Sequence, residues 1–201
     1  MLRNTGVESG ASGLTAVQVA LVAKGSGAPG PTEGAFVSGA APGPSLVLQG
    51  HVAERGWLQA VGGGEDVGTT GRGLALQAVR AYLEGAGEGS SVSVAAHVAG
   101  IGWQDAASAP SYAGTVGQGR AVQAVRVSLS GPVSDSYDVW YRVHAAGYGW
   151  LGWAKDGEAA GTEGLGVQAE ALQAVLVEKG GDAPSSGAPA ELSVPSLSLR
   201  A

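Results

Sequence analysis

One frame occurs three times in this chain of 201 residues: a His, a Gly-Trp pair whose Trp lies six positions on, and a Gly-Thr pair eleven positions after the Trp. The copies are His51, Gly56-Trp57 and Gly68-Thr69; His97, Gly102-Trp103 and Gly114-Thr115; His144, Gly149-Trp150 and Gly161-Thr162. Successive His residues stand 46 and then 47 positions apart. Units of that length must each bury a face against neighbours, so the repeat governs every later fold argument.

Each unit opens on a short alternating run, with Leu46 and Leu48 before His51, Val92 and Val94 before His97, and Val139, Tyr141 and Val143 before His144. Period-two patterns of β-branched, aliphatic and aromatic residues predict strands. The Trp begins a second run. In the third unit that run is Trp150-Leu151-Gly152-Trp153-Ala154, and Lys155-Asp156-Gly157 then predicts a two-residue hairpin turn, because both central positions need φ > 0. Eight positions after each Thr starts the longest run, headed by Gln77, Gln123 and Glu170. Strict alternation puts those polar residues on one face with Val79, Val125 and Leu172.

The expected fold is therefore all-β: three four-stranded meanders of about 46 residues, closed around a pseudo-threefold axis as a β-prism, with a β-trefoil as the alternative. Composition agrees. Gly contributes 36 residues and aromatics only 5%, which suits many short elements joined by tight turns. A Trp at one place in every copy reads first as the anchor of the shared core.

The expected layout is residues 1–25 as the tail of a preceding repeat, 26–43 as a Gly/Ala/Pro-rich linker and 44–180 as the three-repeat domain (44–86, 87–131 and 132–180). Residues 181–201 complete it as a linker and the first strand of a next repeat. Both ends support this, since residues 14–25 match 169–180 and residues 195–201 resemble 44–50. Alternatively, the terminal strands pair with each other or extend sheet edges. The opening Met1-Leu2-Arg3-Asn4 lacks the apolar run of a signal peptide, so an extracellular protein of this sequence is read as part of a longer polypeptide.

Charge and chemistry narrow the function. With a net charge of −6 and no Lys/Arg cluster, nucleic acid is not an expected partner. No apolar stretch is long enough to predict membrane insertion by a helix. The absence of cysteine removes disulfides and thiolate metal ligands. His51, His97 and His144 could meet on a threefold axis as a metal site, but local hydrogen bonding, one His per unit, is the favoured expectation, so no metal is assigned. The Thr-Gly-x-Gly turns lack the Lys and the helix of a phosphate loop. Gln77, Gln123 and Glu170 are expected to fix the backbone of an adjacent turn, since a buried polar group needs partners. No catalytic residue and no cofactor is assigned. Trp140, Tyr148 and Trp153 are aromatics peculiar to the third unit, which makes them the candidate ligand-binding residues: an indole can stack on the apolar face of a sugar.

Several of these segments carry a family resemblance. Gly100-Ile101-Gly102-Trp103-Gln104, Gly68-Thr69-Thr70-Gly71, Tyr137-Asp138-Val139-Trp140-Tyr141-Arg142-Val143-His144 and Gly149-Trp150-Leu151-Gly152-Trp153-Ala154-Lys155-Asp156-Gly157-Glu158 resemble ChW repeats, the clostridial hydrophobic with Trp family of Gram-positive surface and secreted proteins. The acid of the family's long strand is kept here only as Glu170, with Gln77 and Gln123 in the other copies. The resemblance implies a secreted or cell-surface location and a non-catalytic module in a tandem array. It implies as partners a glycan or cell-wall polysaccharide, or a host or cell-surface protein. A structural spacer or protein-binding adhesin domain is the alternative.

Overall fold

The computed structural model describes residues 43–184. The first repeat contains β1 (Ser45–Val52), β2 (Gly56–Trp57), β3 (Val61–Gly62), β4 (Val67–Gly68) and β5 (Leu76–Glu84). The second has β6 (Ser91–Val98), β7 (Gly102–Trp103), β8 (Ala113–Gly114) and β9 (Val122–Ser130). A short helix, α1 (Pro132–Ser136), leads into the third, with β10 (Tyr137–Ala145), β11 (Gly149–Trp150), β12 (Ala154–Lys155), β13 (Ala160–Gly161) and β14 (Ala169–Glu178). The expected terminal strands and linkers before residue 43 and after residue 184 lie outside the described residues.

The two long strands of each repeat pair antiparallel with each other: β1 with β5, β6 with β9, and β10 with β14. Three sheets result, one per repeat. Alternate residues of the long strands turn inward, including Leu46, Leu48 and Val52, Val92, Val94 and Val98, and Val139, Tyr141 and Val143, and all join one buried cluster. Removing this much aliphatic surface from water is the main drive for closure, at roughly 25 cal/mol per Å². The prism expectation holds, with three sheets as its sides and a single aliphatic interior.

The meander expectation needs correction. The short strand that ends in each Gly-Thr pair leaves its own sheet and adds to a neighbour's: β8 pairs with β5, β13 with β9, and β4 with β14. Second repeat lends to first, third to second, and first to third, so the exchange is cyclic. Three backbone bonds repeat the junction, from Thr115 N to Gln77 O at 2.8 Å, Thr162 N to Gln123 O at 2.8 Å and Thr69 N to Glu170 O at 2.9 Å. The Gly before each Thr has φ of +103°, +139° and +122° in the same order, and a Cβ there would overlap the carbonyl oxygen that receives the bond. Only Gly allows both that backbone and that approach.

Asp156 and Gly157 do take positive φ, 41° and 92°. They do not make a hairpin, however, because the flanking strands serve different sheets: β12 pairs with β10 and β13 with β9. The turn carries the chain across an edge of the prism.

The expected indole core is also corrected. Trp57, Trp103 and Trp150 are half-buried, and each stands directly across from His51, His97 or His144 in the strand register. Those His residues alternate with the inward aliphatics, so each His-Trp pair lies on the outer face of its sheet.

Candidate functional site: the outer faces of the three sheets

A β-bulge decides what the outer faces carry. In β5, Leu76 pairs with Val52 and Ala78 with His51, which leaves Gln77 as the extra residue; Gln123 and Glu170 hold the same place in β9 and β14. One inserted residue shifts the parity of alternation. The polar residue therefore does not share the inward face of Val79, Val125 and Leu172, as alternation alone predicts. Glu170 instead places Oε2 3.1 Å from Nδ1 of His144, at an angle poor for a hydrogen bond, and accepts one from the backbone N–H of Gly71 at 3.1 Å. The expected anchoring of an adjacent turn thus holds for the Glu170 side chain, with the turn supplied by another repeat. Gln77 and Gln123 serve the neighbouring Thr through their backbone carbonyls.

Each face then repeats one stack. His51 meets Trp57 edge-on at 5.4 Å between ring centroids, His97 meets Trp103 at 5.5 Å, and His144 meets Trp150 at 5.4 Å. Nδ1 of His51 and of His97 is buried without a hydrogen-bond partner among the described residues. The imidazoles are bound by their indoles, on three separate sheets, and do not converge on the axis. Over each indole lies a guanidinium: Arg80 over Trp57 at 5.0 Å, Arg126 over Trp103 at 4.1 Å and Arg142 over Trp150 at 4.8 Å. Such a contact is worth about 0.5–1 kcal/mol at an exposed site and about 2 when desolvated.

The first and third stacks obtain their Arg from different strands. Gln49 of β1 stands opposite Arg80 of β5, while Arg142 of β10 stands opposite Gln173 of β14. The same amide–guanidinium bond forms in both, Arg80 Nε to Gln49 Oε1 at 2.8 Å and Arg142 Nε to Gln173 Oε1 at 2.7 Å.

The third face adds two of the three candidate aromatics. Arg142 also lies over Trp153, its guanidinium carbon 4.7 Å from the ring centroid, and Lys155 Nζ lies over Trp140 at 5.5 Å. Trp140, Arg142 and His144 alternate along the outer side of β10, so indole, guanidinium and imidazole form a row. Tyr148 is not part of it. It stands 60% exposed at the tip of the turn before Trp150. The sequence reading passed over Arg142, Lys155 and Gln173, although Arg142 sits two residues from both Trp140 and His144 in an alternating strand, a spacing that marks one face.

Behind Lys155 the third sheet holds a charged cluster. Asp138 is buried, with Lys155 and Lys179 ammonium groups each 2.7 Å from its carboxylate and the Gly180 N–H bonded to it at 3.1 Å. The Lys155 and then the Lys179 ammonium hold the Asp138 carboxyl well below the usual carboxylate range, and Asp138 in turn raises Lys179. Burial, helped by the nearby Asp138, pushes the Asp156 carboxyl up. Inside the prism, burial drives the Tyr141 phenol up to about 12; it donates to Glu158 C=O and accepts from Gly157 N–H.

Two shallow cavities, of about 240 and 220 Å³, lie at the end away from the His-Trp stacks, the first between the first and second repeats and the second where α1 and Tyr137 of the third repeat meet Pro44 and the turn at residues 86–90. Their walls are Gly, Ala, Ser, Pro, Val and Leu residues with Tyr82 and Tyr137, and they contain no carboxylate, His or cation.

The family model described as clostridial hydrophobic W matches the chain three times, over residues 51–85, 97–131 and 144–178. Each span runs from the stacked His to the end of the second long strand. No curated protein and no solved structure matches the chain. Since the three spans together cover just over half of the sequence, this chain belongs to the clostridial hydrophobic W (ChW) family.

Proposed function

We propose that the chain is a non-catalytic binding module of a secreted or cell-surface protein, and that it holds carbohydrate or a cell-wall polymer on the outer face of its third sheet. One observation carries the reading: Trp140, Trp150 and Trp153 are gathered with Arg142, Lys155 and the Gln173 amide on a single sheet face. Indoles beside cations and an amide suit a ligand with apolar ring faces and polar edges. The related His-Trp-Arg stacks on the other two faces supply weaker, similar surfaces, so several engagements along a polymer would add.

The test is a glycan array probed with the full chain, followed by titration of the strongest ligand against the Trp153→Ala variant. Retention on bacterial or host glycans with about tenfold weaker binding by the variant is expected. Silence across the array overturns the reading. It would favour a structural spacer or protein-binding adhesin domain, for which the cyclic exchange of strands, a stiff closed unit, is the supporting observation.

A further inference from the structure

We infer that the ligand of the third face is acidic: a saccharide or polyol polymer whose carboxylate or phosphate groups are taken by Arg142. The inference rests on the proposed binding function and adds to it the charge of the ligand.

Among the described residues, no Arg side chain forms an ion pair; the four ion pairs involve His144, Lys155 and Lys179. This is unexpected in a chain with 17 acidic and 11 basic residues, where carboxylates are plentiful. The outer-face guanidiniums have indoles and amides for neighbours instead. Arg142 is the most enclosed by rings, with Trp150 at 4.8 Å and Trp153 at 4.7 Å. Its Nε is committed to Gln173, whereas its two terminal nitrogens have no protein acceptor among the described residues. In the first repeat, by contrast, Arg80 spends both Nε and Nη2 on Gln49.

Carboxylates of the third sheet and of the turn beside it are engaged elsewhere. Glu170 is turned onto His144 and Gly71 N–H, Asp66 accepts from Gln173, and Glu158 accepts from the Lys155 N–H. A guanidinium fixed by rings and by one amide, with its outer donors free and no counter-charge, is arranged to receive the two oxygens of a carboxylate or phosphate. Lys155, on the same face beside Trp140, is paired with Asp138, so Arg142 is the cation left to meet an anion there. The net charge of −6 works against adsorption of polyanions in general, so their retention by this chain needs a local site such as this one.

The experiment measures binding of the full chain to polygalacturonate, poly(glycerol phosphate) and dextran, alongside Arg142→Gln, Arg142→Lys and Arg120→Gln. Arg120 is an exposed Arg of the second repeat whose side chain donates to Ala99 C=O, and it serves as the control for diffuse charge. At least one acidic polymer is expected to bind while dextran does not. Arg142→Gln should weaken that binding about tenfold, Arg142→Lys less, and Arg120→Gln hardly at all. Raising the salt to about 0.5 M should weaken it further. Carboxylate and phosphate sources are separated by which acidic polymer is retained. Equal binding of dextran, equal losses in Arg142→Gln and Arg120→Gln, or no binding to either acidic polymer each overturns the inference. The first of these leaves the broader carbohydrate reading standing, and a positive glycan array does the same after the last. An unchanged circular dichroism spectrum of Arg142→Lys shows that any loss comes from the site.

Discussion

Thr69 donates its backbone N–H to the carbonyl of Glu170 at 2.9 Å, and this bond joins the first repeat to the last. The ring of lent strands closes there. No repeat keeps all its own strands, so none can complete its sheet alone. Cutting the chain between Gly131 and Pro132 should therefore give two pieces that show little β structure apart and regain it when mixed. Far-UV circular dichroism of each piece and of the mixture checks this; a stably folded piece ending at residue 131 would refute cyclic dependence.

Gly114→Ala should be among the most destabilising small changes, by about 2–4 kcal/mol, because its φ of +103° and the carbonyl of Gln77 both exclude a Cβ. Gly117→Ala is the matched control. Its φ is +74° with open space around it, so only the left-handed backbone is penalised, at about 1 kcal/mol. Urea denaturation of both variants measures the difference, and equal losses would mean that the approach to Gln77 imposes nothing.

The Asp138 cluster predicts a specific pH dependence. Its folded-state pKa is depressed by Lys155 and Lys179, so the stabilisation is complete above the ordinary carboxylate value of about 3.9 and disappears as pH falls through the folded value. The gap in melting temperature between the natural chain and Asp138→Asn should be large at neutral pH and should shrink below about pH 4. At the alkaline end the same pairs weaken as pH rises through the elevated pKa of Lys179. A gap independent of pH between neutral and about pH 3 would show that the charge of Asp138 contributes nothing.

Tyr141 should resist ionisation. With its phenol pushed up to about 12 by burial, stability is retained below the ordinary value near 10 and lost as pH rises through the folded one. Ultraviolet titration should show one of the five tyrosines ionising only as the protein unfolds, and Tyr141→Phe should remove that step. The variant should cost about 1 kcal/mol, since it leaves the Glu158 carbonyl without its partner, while the Gly157 N–H keeps its bond to the Val127 carbonyl at 2.8 Å.

Much of this was legible in the sequence because it is local. The paired long strands follow from alternation at Leu46 and Leu48, at Val92 and Val94, and at Val139, Tyr141 and Val143. The Gly-Thr pairs marked the repeat, although the backbone that demands Gly there showed only in the structure. What alternation could not reveal was the extra residue at Gln77, Gln123 and Glu170, because a bulge is defined by the partner strand and changes parity without a composition signal. The placement of Trp57, Trp103 and Trp150 in the core failed for a related reason. Size favours burial, but the residue opposite each Trp is an outward His, and register outranks size. Strand lending was unreadable because its contacts span distant parts of the chain, as from Thr69 to Glu170. At the candidate site, the sequence named Trp140, Tyr148 and Trp153 as ligand-binding candidates; Trp140 and Trp153 share the outer face of the third sheet, Tyr148 stands apart, and the cations beside the indoles were missed.

Arg80 and Gln49 in the first repeat have exchanged strands in the third, where Arg142 and Gln173 carry the same bond. Column-by-column comparison of the repeats would score two mismatches there, although the cross-strand pair is intact. Selection on such a surface acts on the sum of two columns, and a search for the family's shared chemistry should compare residues that face each other across a sheet before residues that share a position along the chain.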